Sequence, residues 1–503
     1  MTSQLVLAAL AVYILLLFFA ARSSKPAANN DAFFRAGRRS PWWLVAFGMI
    51  GASVSGVSLV SVPGWVRTTG MTYLQMCAGF FAGYLVIAAV LLPLYYRLRL
   101  TSIYAYLGLR FGPKSRRTGA AFFLLSKLTG AAARLYLACI VLHELAAAPL
   151  GLPFPATVGI VLLSIFLYTR RGGIHTIVRT DALQTLCLIV ATIALVGVVA
   201  EKMSLTPDAI VATISRSPMG RVFDWDIHGQ QFFGRQFING MFITIVMTGL
   251  DQDMMQKNLT CPRLRDAKKD MCLYGAAFLP LNLLFLSLGV LLYSFANNEG
   301  ILLPTEGDRV LPYLVSSGAL GSFVVFPFTI GVAAAALSSA DSAITALTTS
   351  ICVDFLGVER KDYGESRAES HRHRVHLLVT IAFALCIAVF HTVGNGTVID
   401  TIYRMAGYTY GPLLGLYAYG ITTDKLAAHK HAAPPHANTR ADALIPFIAC
   451  AAPIACAVLD YLAPRLWHYT FSYELLLINA LFTILPLMMI KVNNLERLND
   501  SAL

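Results

Sequence analysis

The sequence predicts an all-α integral membrane protein with about thirteen transmembrane helices. Of its 503 residues, 57% are hydrophobic and only 13% are charged, whereas an ordinary soluble domain carries about 25% charged residues. A bilayer core about 30 Å thick needs roughly 20 apolar residues per helix. Stretches of about this length lie near 3–21, 42–62, 73–95, 118–146, 153–169, 181–200, 231–255, 273–296, 319–350, 376–394, 399–421, 443–463 and 471–490.

The positions of the basic residues support this number of helices and predict an orientation. The net charge is +12, and most of the 39 Lys and Arg residues lie in alternate loops, beginning with Arg22 and Lys25 after the first helix. The positive-inside rule places these loops in the cytoplasm, with the N-terminus outside, the C-terminus inside and the chain in the cell membrane. Because the lipid bilayer explains the charge, no nucleic-acid partner is predicted. The first helix has no basic residue before it, so we expect it to be retained as an anchor.

Several motifs of other protein classes are absent from the sequence. No Gly-Lys dipeptide occurs, so there is no phosphate loop for ATP. His143 and Glu144 begin like a zinc-protease motif, but Ala147 stands where the second histidine ligand belongs. The sequence therefore predicts neither an ATP-driven pump nor an enzyme, and no obligatory protein partner is evident.

Ionisable residues within the predicted spans mark candidate functional positions. Lys127, Arg134, Asp341 and Arg404 fall inside apolar stretches, and Asp181 and Asp251 fall at span ends. A charge at membrane depth is costly, so each of these residues needs an opposite charge or a water-filled cavity. An interhelical ion pair is the structural alternative for each of them.

Two segments rich in small residues predict a cation site. Residues 333–342 read Ala-Ala-Ala-Ala-Leu-Ser-Ser-Ala-Asp-Ser, and residues 51–56 read Gly-Ala-Ser-Val-Ser-Gly. Hydroxyl and carboxylate oxygens are the hard ligands that a small cation prefers. The two glycines at 51 and 56 make a continuous helix costly, and a break would free carbonyls that are tolerated only beside a cavity or an ion. Close packing of small residues is the alternative explanation.

Five segments form an ordered set along nearly the whole chain. They are Gly51–Gly56, Gly172–Gln184, Asp251–Gln256, Ala335–Ser342 and Gly407–Gly415. In this order and at these spacings they resemble the sodium/solute symporters, the group that includes sodium/glucose, proline and sialic acid carriers. The resemblance implies a single domain over 1–503 with a LeuT-like core of two five-helix inverted repeats at 42–200 and 231–421, one extra helix within 1–41 and two within 443–490.

The resemblance also implies positions for sodium, the coupling ion of this family. The main site would take the carbonyls of Gly51, Val54 and Ala335 and the hydroxyls of Ser338 and Ser339. A second sodium, which some members of the family bind, would lie at Asp181, Asp341 and Ser342. Several relatives have a serine where Asp341 stands, so this carboxylate either strengthens the second site or binds a proton.

The substrate is a small molecule whose class is only partly indicated by the sequence. Glucose carriers place Gln and Glu where this chain has Ser58 and Cys77, which disfavours a hexose. Sialic acid carriers use hydroxyls and an arginine in a pattern that resembles Ser53, Ser55, Ser58 and Arg134, with Gln75 nearby. An arginine binds a carboxylate through two parallel charge-assisted hydrogen bonds.

The sequence thus predicts sodium-coupled import, by alternating access, of a carboxylate-bearing solute such as a sialic or other sugar acid. Transport of a sugar or an amino acid remains an alternative. A channel and a polytopic membrane enzyme are the alternatives from other functional classes.

Overall fold

The computed structural model describes residues 2–22, 30–54, 56–358, 364–393, 398–423, 439–469, 471 and 473–500. Within these ranges the chain is almost entirely helical and contains no β-strand. Seven helices are long and apolar enough to cross a membrane, or eight if one bent pair counts as a single span, and three further apolar helices are shorter. The predicted all-α multi-pass membrane fold is therefore confirmed, while the number of thirteen spans stays a prediction.

The helices follow one another along the chain with short connections. In order they are α1 Thr2–Arg22, α2 Asn30–Arg35, α3 Trp42–Ser53, α4 Gly56–Thr69, α5 Tyr73–Val86, α6 Leu92–Leu98, α7 Ala105–Arg110, α8 Pro113–Leu142, α9 Phe154–Lys202, α10 Pro207–Arg216, α11 Phe233–Thr244, α12 Gln252–Asn258, α13 Leu264–Asn298, α14 Gly307–Ser316, α15 Val325–Ser350, α16 Glu365–Val393, α17 Val398–Thr422, α18 Thr439–Leu466 and α19 Leu475–Asp500.

The predicted break in the second membrane span lies between α3 and α4. Val54 ends α3 in an extended conformation, with φ −84° and ψ 94°. The axes of Trp42–Ser53 and Ser58–Thr69 differ in direction by 58°. A span that is bent so sharply leaves carbonyls without helical partners, and such groups are available to bind an ion or solute.

Helix α9 is 49 residues long and is divided by a kink at Gly173. This glycine has φ +55°, and a Cβ there would lie 2.6 Å from the carbonyl oxygen of Phe33. The kink separates an apolar helix at Phe154–Arg170 from a second span at Gly173–Lys202. Two spans are thus present near the predicted 153–169 and 181–200, but a kinked helix joins them in place of the expected loop.

Helix α15 occupies the centre of the bundle. In its most apolar window 83% of the residues are buried, against 33% for α16 and 28% for α18. It packs against α9, α8, α1, α4 and α3. The high content of alanine and serine allows this close approach on several sides, and it brings the polar residues of α15 beside the broken α3.

Candidate functional site

The first part of the site is the contact between α15 and the end of α3. The Ser339 hydroxyl lies 3.2 Å from the carbonyl oxygen of Ala335 and 3.5 Å from that of Ala52. All three residues are buried. Oxygens from both helices therefore meet within a few ångströms, which suits a small hard cation.

The geometry of α3 explains the glycine at position 51. A Cβ at Gly51 would lie 2.1 Å from the hydroxyl oxygen of Thr185 on α9, and that hydroxyl donates hydrogen bonds to the carbonyls of Phe47 and Asp181. Gly51 thus allows α3 and α9 to pack closely. Ser339 contacts the carbonyl of Ala52, which sequence reasoning did not select, and the assignment of Gly51 and Val54 as sodium ligands stays a prediction.

The second part of the site is a buried polar cluster around Asp181. Its carboxylate accepts hydrogen bonds from the hydroxyls of Ser338, at 2.7 Å, and Ser342, at 3.1 Å. The backbone amide of Ser342 also donates to Asp341, at 2.6 Å, and the Tyr168 hydroxyl donates to the other oxygen of Asp341, at 2.7 Å. The structure thus brings the predicted residues Asp181, Asp341 and Ser342 together, and Ser338 with them.

Lys257 belongs to the same cluster, although sequence reasoning did not select it. Its ammonium nitrogen lies 2.8 Å from Asp181 and 3.6 Å from Asp253, and its side chain is fully buried. The predicted span ends at residue 255, which leaves Lys257 in the basic loop that follows. Its spacing of one helical turn from Asp253 is a sequence signal for an ion pair on one helix face, but not for its burial.

Lys127 forms a second set of ion pairs in the same region. Its ammonium lies 3.2 Å from Asp251 and 2.7 Å from Asp253. Asp251 also accepts a hydrogen bond from the hydroxyl of Tyr410, at 2.6 Å, and caps the first turn of α12. Lys127 therefore forms an interhelical ion pair, which the sequence analysis gave as the alternative to a functional role.

A polar cavity lies beside these ion pairs. Helices from both halves of the chain line it, with Ala52, Ser53, Ser58, Tyr73, Phe80, Lys127, Arg134, Thr244, Thr248, Asp251, Tyr274, Phe278 and Tyr410 among its walls. The Ser53 hydroxyl is hydrogen-bonded to that of Tyr274, which accepts a further hydrogen bond from Tyr84 at 2.8 Å. Three predicted substrate residues, Ser53, Ser58 and Arg134, thus face one cavity.

The other two predicted substrate residues are not placed there. Ser55 lies outside the described residues. Gln75 is buried away from the cavity walls, where its amide nitrogen donates to the carbonyl of Gln231, at 2.9 Å, and its amide oxygen accepts from the backbone of Asp224, at 3.0 Å. Gln75 therefore anchors the segment before α11 in this structure.

Arg134 differs from the other basic residues of the cavity. Among the residues that the structure describes, Lys127 and Lys257 have carboxylate partners, whereas Arg134 forms no ion pair. Its immediate neighbours on α8 are alanine, leucine and glycine residues. A guanidinium in this position has five N–H donors available for an incoming anion.

A helical membrane bundle with a broken span, a buried cluster of hydroxyl and carboxylate groups and an adjoining cavity is the architecture of a solute transporter. The overall fold is that of a solved structure of a Na⁺-coupled sialic acid symporter in a substrate-bound, outward-open state, with a TM-score of 0.78, 19% identity and coverage of 95% of this chain and 96% of that chain. The nucleobase-cation symporter Mhp1 in a closed conformation matches with a TM-score of 0.56 at 13% identity, over 92% of this chain and 93% of that one. The predicted LeuT-like fold is thereby confirmed.

The chain belongs to the sodium:solute symporter family, whose model matches residues 33–429. It is therefore a transporter, not an enzyme. The sodium-dependent multivitamin transporter of Oryctolagus cuniculus is 27% identical over 77% of this chain, which spans 60% of that relative's length. The sodium/sialic acid symporter NanT of Aliivibrio fischeri is 24% identical over 78% of this chain and 77% of its own length. The sodium/iodide cotransporter of Homo sapiens is 22% identical over 78% of this chain and 61% of its own length.

Proposed function

We propose that the protein is a symporter that uses a sodium gradient to import a small carboxylate-bearing solute, such as a sialic or other sugar acid, across the cell membrane. The observation that carries this proposal is the Arg134 guanidinium, which lines the cavity and has no carboxylate partner among the described residues. In this arrangement the bound solute supplies the missing carboxylate.

The cavity discriminates against the other solute classes that the sequence left open. A neutral sugar would leave Arg134 without a direct ion-pair partner, which is costly for a charge out of bulk water. An amino acid would bring an ammonium group, yet Asp251 in the cavity wall is already paired with Lys127. The aromatic rings of Tyr73, Phe80 and Phe278 in the cavity walls suit the apolar face of a sugar ring.

Coupling follows from the position of the predicted sodium ligands on two helices that move relative to each other. Val54 ends α3 in the first predicted repeat, and Ser339 lies on α15 in the second. An ion held by oxygens of both helices favours the arrangement in which the cavity is complete, and solute binding favours the ion by the same factor. Such coupling is typically about 1 to 3 kcal/mol.

Two of the relatives support a sugar acid as the solute, because they are named sodium/sialic acid symporters and match this chain over 78% of its length. Relatives with other names, such as sodium-coupled monocarboxylate transporter 1, are also 25% identical. A carboxylate is common to sialic acids and monocarboxylates, and both groups of relatives therefore support an acidic solute.

The experiment that tests this function compares matched acidic and neutral ligands. Thermal unfolding of the purified protein is followed with glucuronate against glucose and with a sialic acid against its methyl ester, each with and without sodium. Because a ligand that binds the folded state raises apparent stability, we expect a higher melting temperature only with the acids, and a larger shift in sodium. An equal shift with a neutral sugar and its acid would contradict the proposal.

Transport itself separates a carrier from a channel. We expect uptake into proteoliposomes to saturate with the solute that stabilises the protein and to stop when the sodium gradient is collapsed. Uptake that rises linearly with concentration and persists without the gradient would favour a channel.

A further inference from the structure

The predicted second sodium site already contains a positively charged group. The ammonium of Lys257 lies 2.8 Å from Asp181, the carboxylate that the second sodium would need. Ser342 of that site and Ser338 of the predicted main site both donate hydrogen bonds to the same carboxylate. Lysine, serine and aspartate are all fully or almost fully buried, so bulk water does not screen their charges.

We propose that Lys257 replaces the second sodium ion, so that the protein binds one sodium per transport cycle at the Ser338–Ser339 position. The ammonium serves as a permanent cation for Asp181. This inference rests on the proposed sodium coupling and specifies its stoichiometry and the residue that sets it.

Electrostatic repulsion is the physical reason why lysine and a second sodium would exclude each other. A sodium ion bound to Asp181 would lie about 4 Å from the ammonium, where two like charges repel strongly in a site of effective dielectric constant about 20. The repulsion at that distance corresponds to sodium binding weakened on the order of a thousandfold. The other carboxylate of the cluster, Asp341, is held by Tyr168 and by the backbone of Ser342.

The backbone around Lys257 is fixed by contacts that hold its side chain in place. The amide of Gln256 donates to the carbonyl of Phe34, at 2.8 Å, and to the hydroxyl of Thr349 on α15, at 3.0 Å. Thr260 donates from its hydroxyl and its backbone amide to the carbonyl of Lys257, at 2.6 and 3.0 Å. Helix α12 is thus anchored to α15, and the lysine side chain is directed towards Asp181.

Sodium alone is the probe for this inference, because the solute is not needed to count ions. Equilibrium binding of radioactive sodium is measured on the purified full-length protein, with choline replacing sodium to keep ionic strength constant. We expect one sodium ion per wild-type protein. In Lys257→Met, which keeps an unbranched side chain of similar size and removes its charge, we expect two.

Three further variants separate the role of this charge from a general effect of mutation. Lys257→Arg keeps the positive charge and should bind one ion. Lys202→Met removes an exposed ammonium at the end of α9, away from the cluster, and should also bind one. Adding Asp181→Asn to Lys257→Met should reduce the number from two to one.

The outcomes also separate this inference from the proposed function. Two sodium ions bound to the wild type, or one ion bound to a folded Lys257→Met protein, would overturn the replacement of sodium by lysine while leaving sodium coupling intact. No sodium binding to the wild type under any condition would instead refute the sodium-coupled function on which the inference depends.

Discussion

The two buried lysines among the described residues both form ion pairs with buried aspartates. Lys127 and Lys257 reach Asp251, Asp253 and Asp181 at distances between 2.7 and 3.6 Å. Each pair avoids the cost of an isolated charge at membrane depth. Against this background the guanidinium of Arg134, which has no such partner among the described residues, is the side chain that is ready to bind an external anion.

Replacing Arg134 should weaken solute binding. Arg134→Lys keeps the charge but loses the planar fork that binds both carboxylate oxygens. Hydrogen bonds to charged groups contribute about 1.5 to 3 kcal/mol, so we expect the Michaelis constant for an acidic solute to rise by roughly 10- to 150-fold. Uptake kinetics of the reconstituted variant provide the measurement.

Arg309→Ala is the matched control for Arg134, because Arg309 is exposed and pairs with Glu306 on the surface. Its uptake should equal that of the wild type. Unchanged kinetics in Arg134→Ala would show that the arginine has a structural role.

Removing the hydroxyls of Ser338 and Ser339 should weaken sodium binding. A buried polar contact left unmade costs about 1 to 3 kcal/mol, which corresponds to about a 5- to 150-fold loss of sodium affinity. Ser338→Ala, Ser339→Ala and the double variant are compared by uptake at increasing sodium concentration. Solute affinity at saturating sodium should recover, because these serines are proposed to contact the ion and not the solute.

Thr329→Val removes another buried hydroxyl from the same helix, α15, and should leave the sodium dependence unchanged. If all three serine variants keep the wild-type half-saturating sodium concentration, the serines are residues of helix packing.

The predictability of the site differs from residue to residue. Ser338, Ser339 and Asp341 are recognisable because hydroxyls and a carboxylate in an alanine-rich helix contrast with their surroundings. Lys257 was not recognisable in this way, since basic residues are normal at the end of a span and only the folded chain shows that this one is buried. Gln75 shows the opposite error, since it was selected as a substrate residue but anchors a loop in the structure. A polar residue near a span end is compatible with either role.

At the level of helices, Asp442 at the start of α18 holds the first turn of α8. It accepts hydrogen bonds from the backbone amides of Lys114, at 3.2 Å, and Ser115, at 2.7 Å, and from the Ser115 hydroxyl, at 2.7 Å. A Cβ at Gly112, which has φ +141°, would lie 2.5 Å from this carboxyl group. A side chain from a distant helix thus satisfies the free amides at the N-terminus of α8.

Asp442→Ala should destabilise the folded protein without changing its selectivity. Loss of an N-terminal capping side chain costs about 0.5 to 2 kcal/mol, so we expect a lower melting temperature of the purified variant. Asp208→Ala, in the first turn of the exposed α10, should lower it less. An Asp442→Ala protein as stable as the wild type would show that water replaces the cap.

The broken and kinked helices show which local features the sequence encodes. The break after α3 was predicted because two of the six residues at 51–56 are glycines and three others are small, which makes a helix costly. In the structure, a glycine at 173 also lies at the kink of α9. Continuation of α9 on both sides of that glycine was not predictable, because the packing of Phe33 against Gly173 depends on residues far away in the chain.

For the whole molecule, composition was sufficient to predict a helical bundle in a membrane, since so apolar a chain has no other stable arrangement. The number of crossings was harder to predict. Seven or eight long spans and three shorter apolar helices are present in the described residues, and the helix at Val398–Thr422 is not among those counted. Orientation depends on that number, so it remains a prediction from the positive charges.

The last prediction is that the two termini lie on opposite sides of the membrane, with the N-terminus outside and the C-terminus in the cytoplasm. Basic loops are retained in the cytoplasm. Because thirteen is an odd number of crossings, the two ends of the chain then lie on opposite sides of the membrane. Alkaline phosphatase, which is active only outside the cytoplasm, and green fluorescent protein, which in a bacterial host fluoresces only inside, are fused in turn to each end. We expect phosphatase activity at the N-terminus and fluorescence at the C-terminus. Inserting the same reporters beside the exposed Phe223 and Trp225, in a loop predicted to be outside, gives the control. The same reporter active at both ends would establish an even number of crossings and refute the thirteen-helix topology.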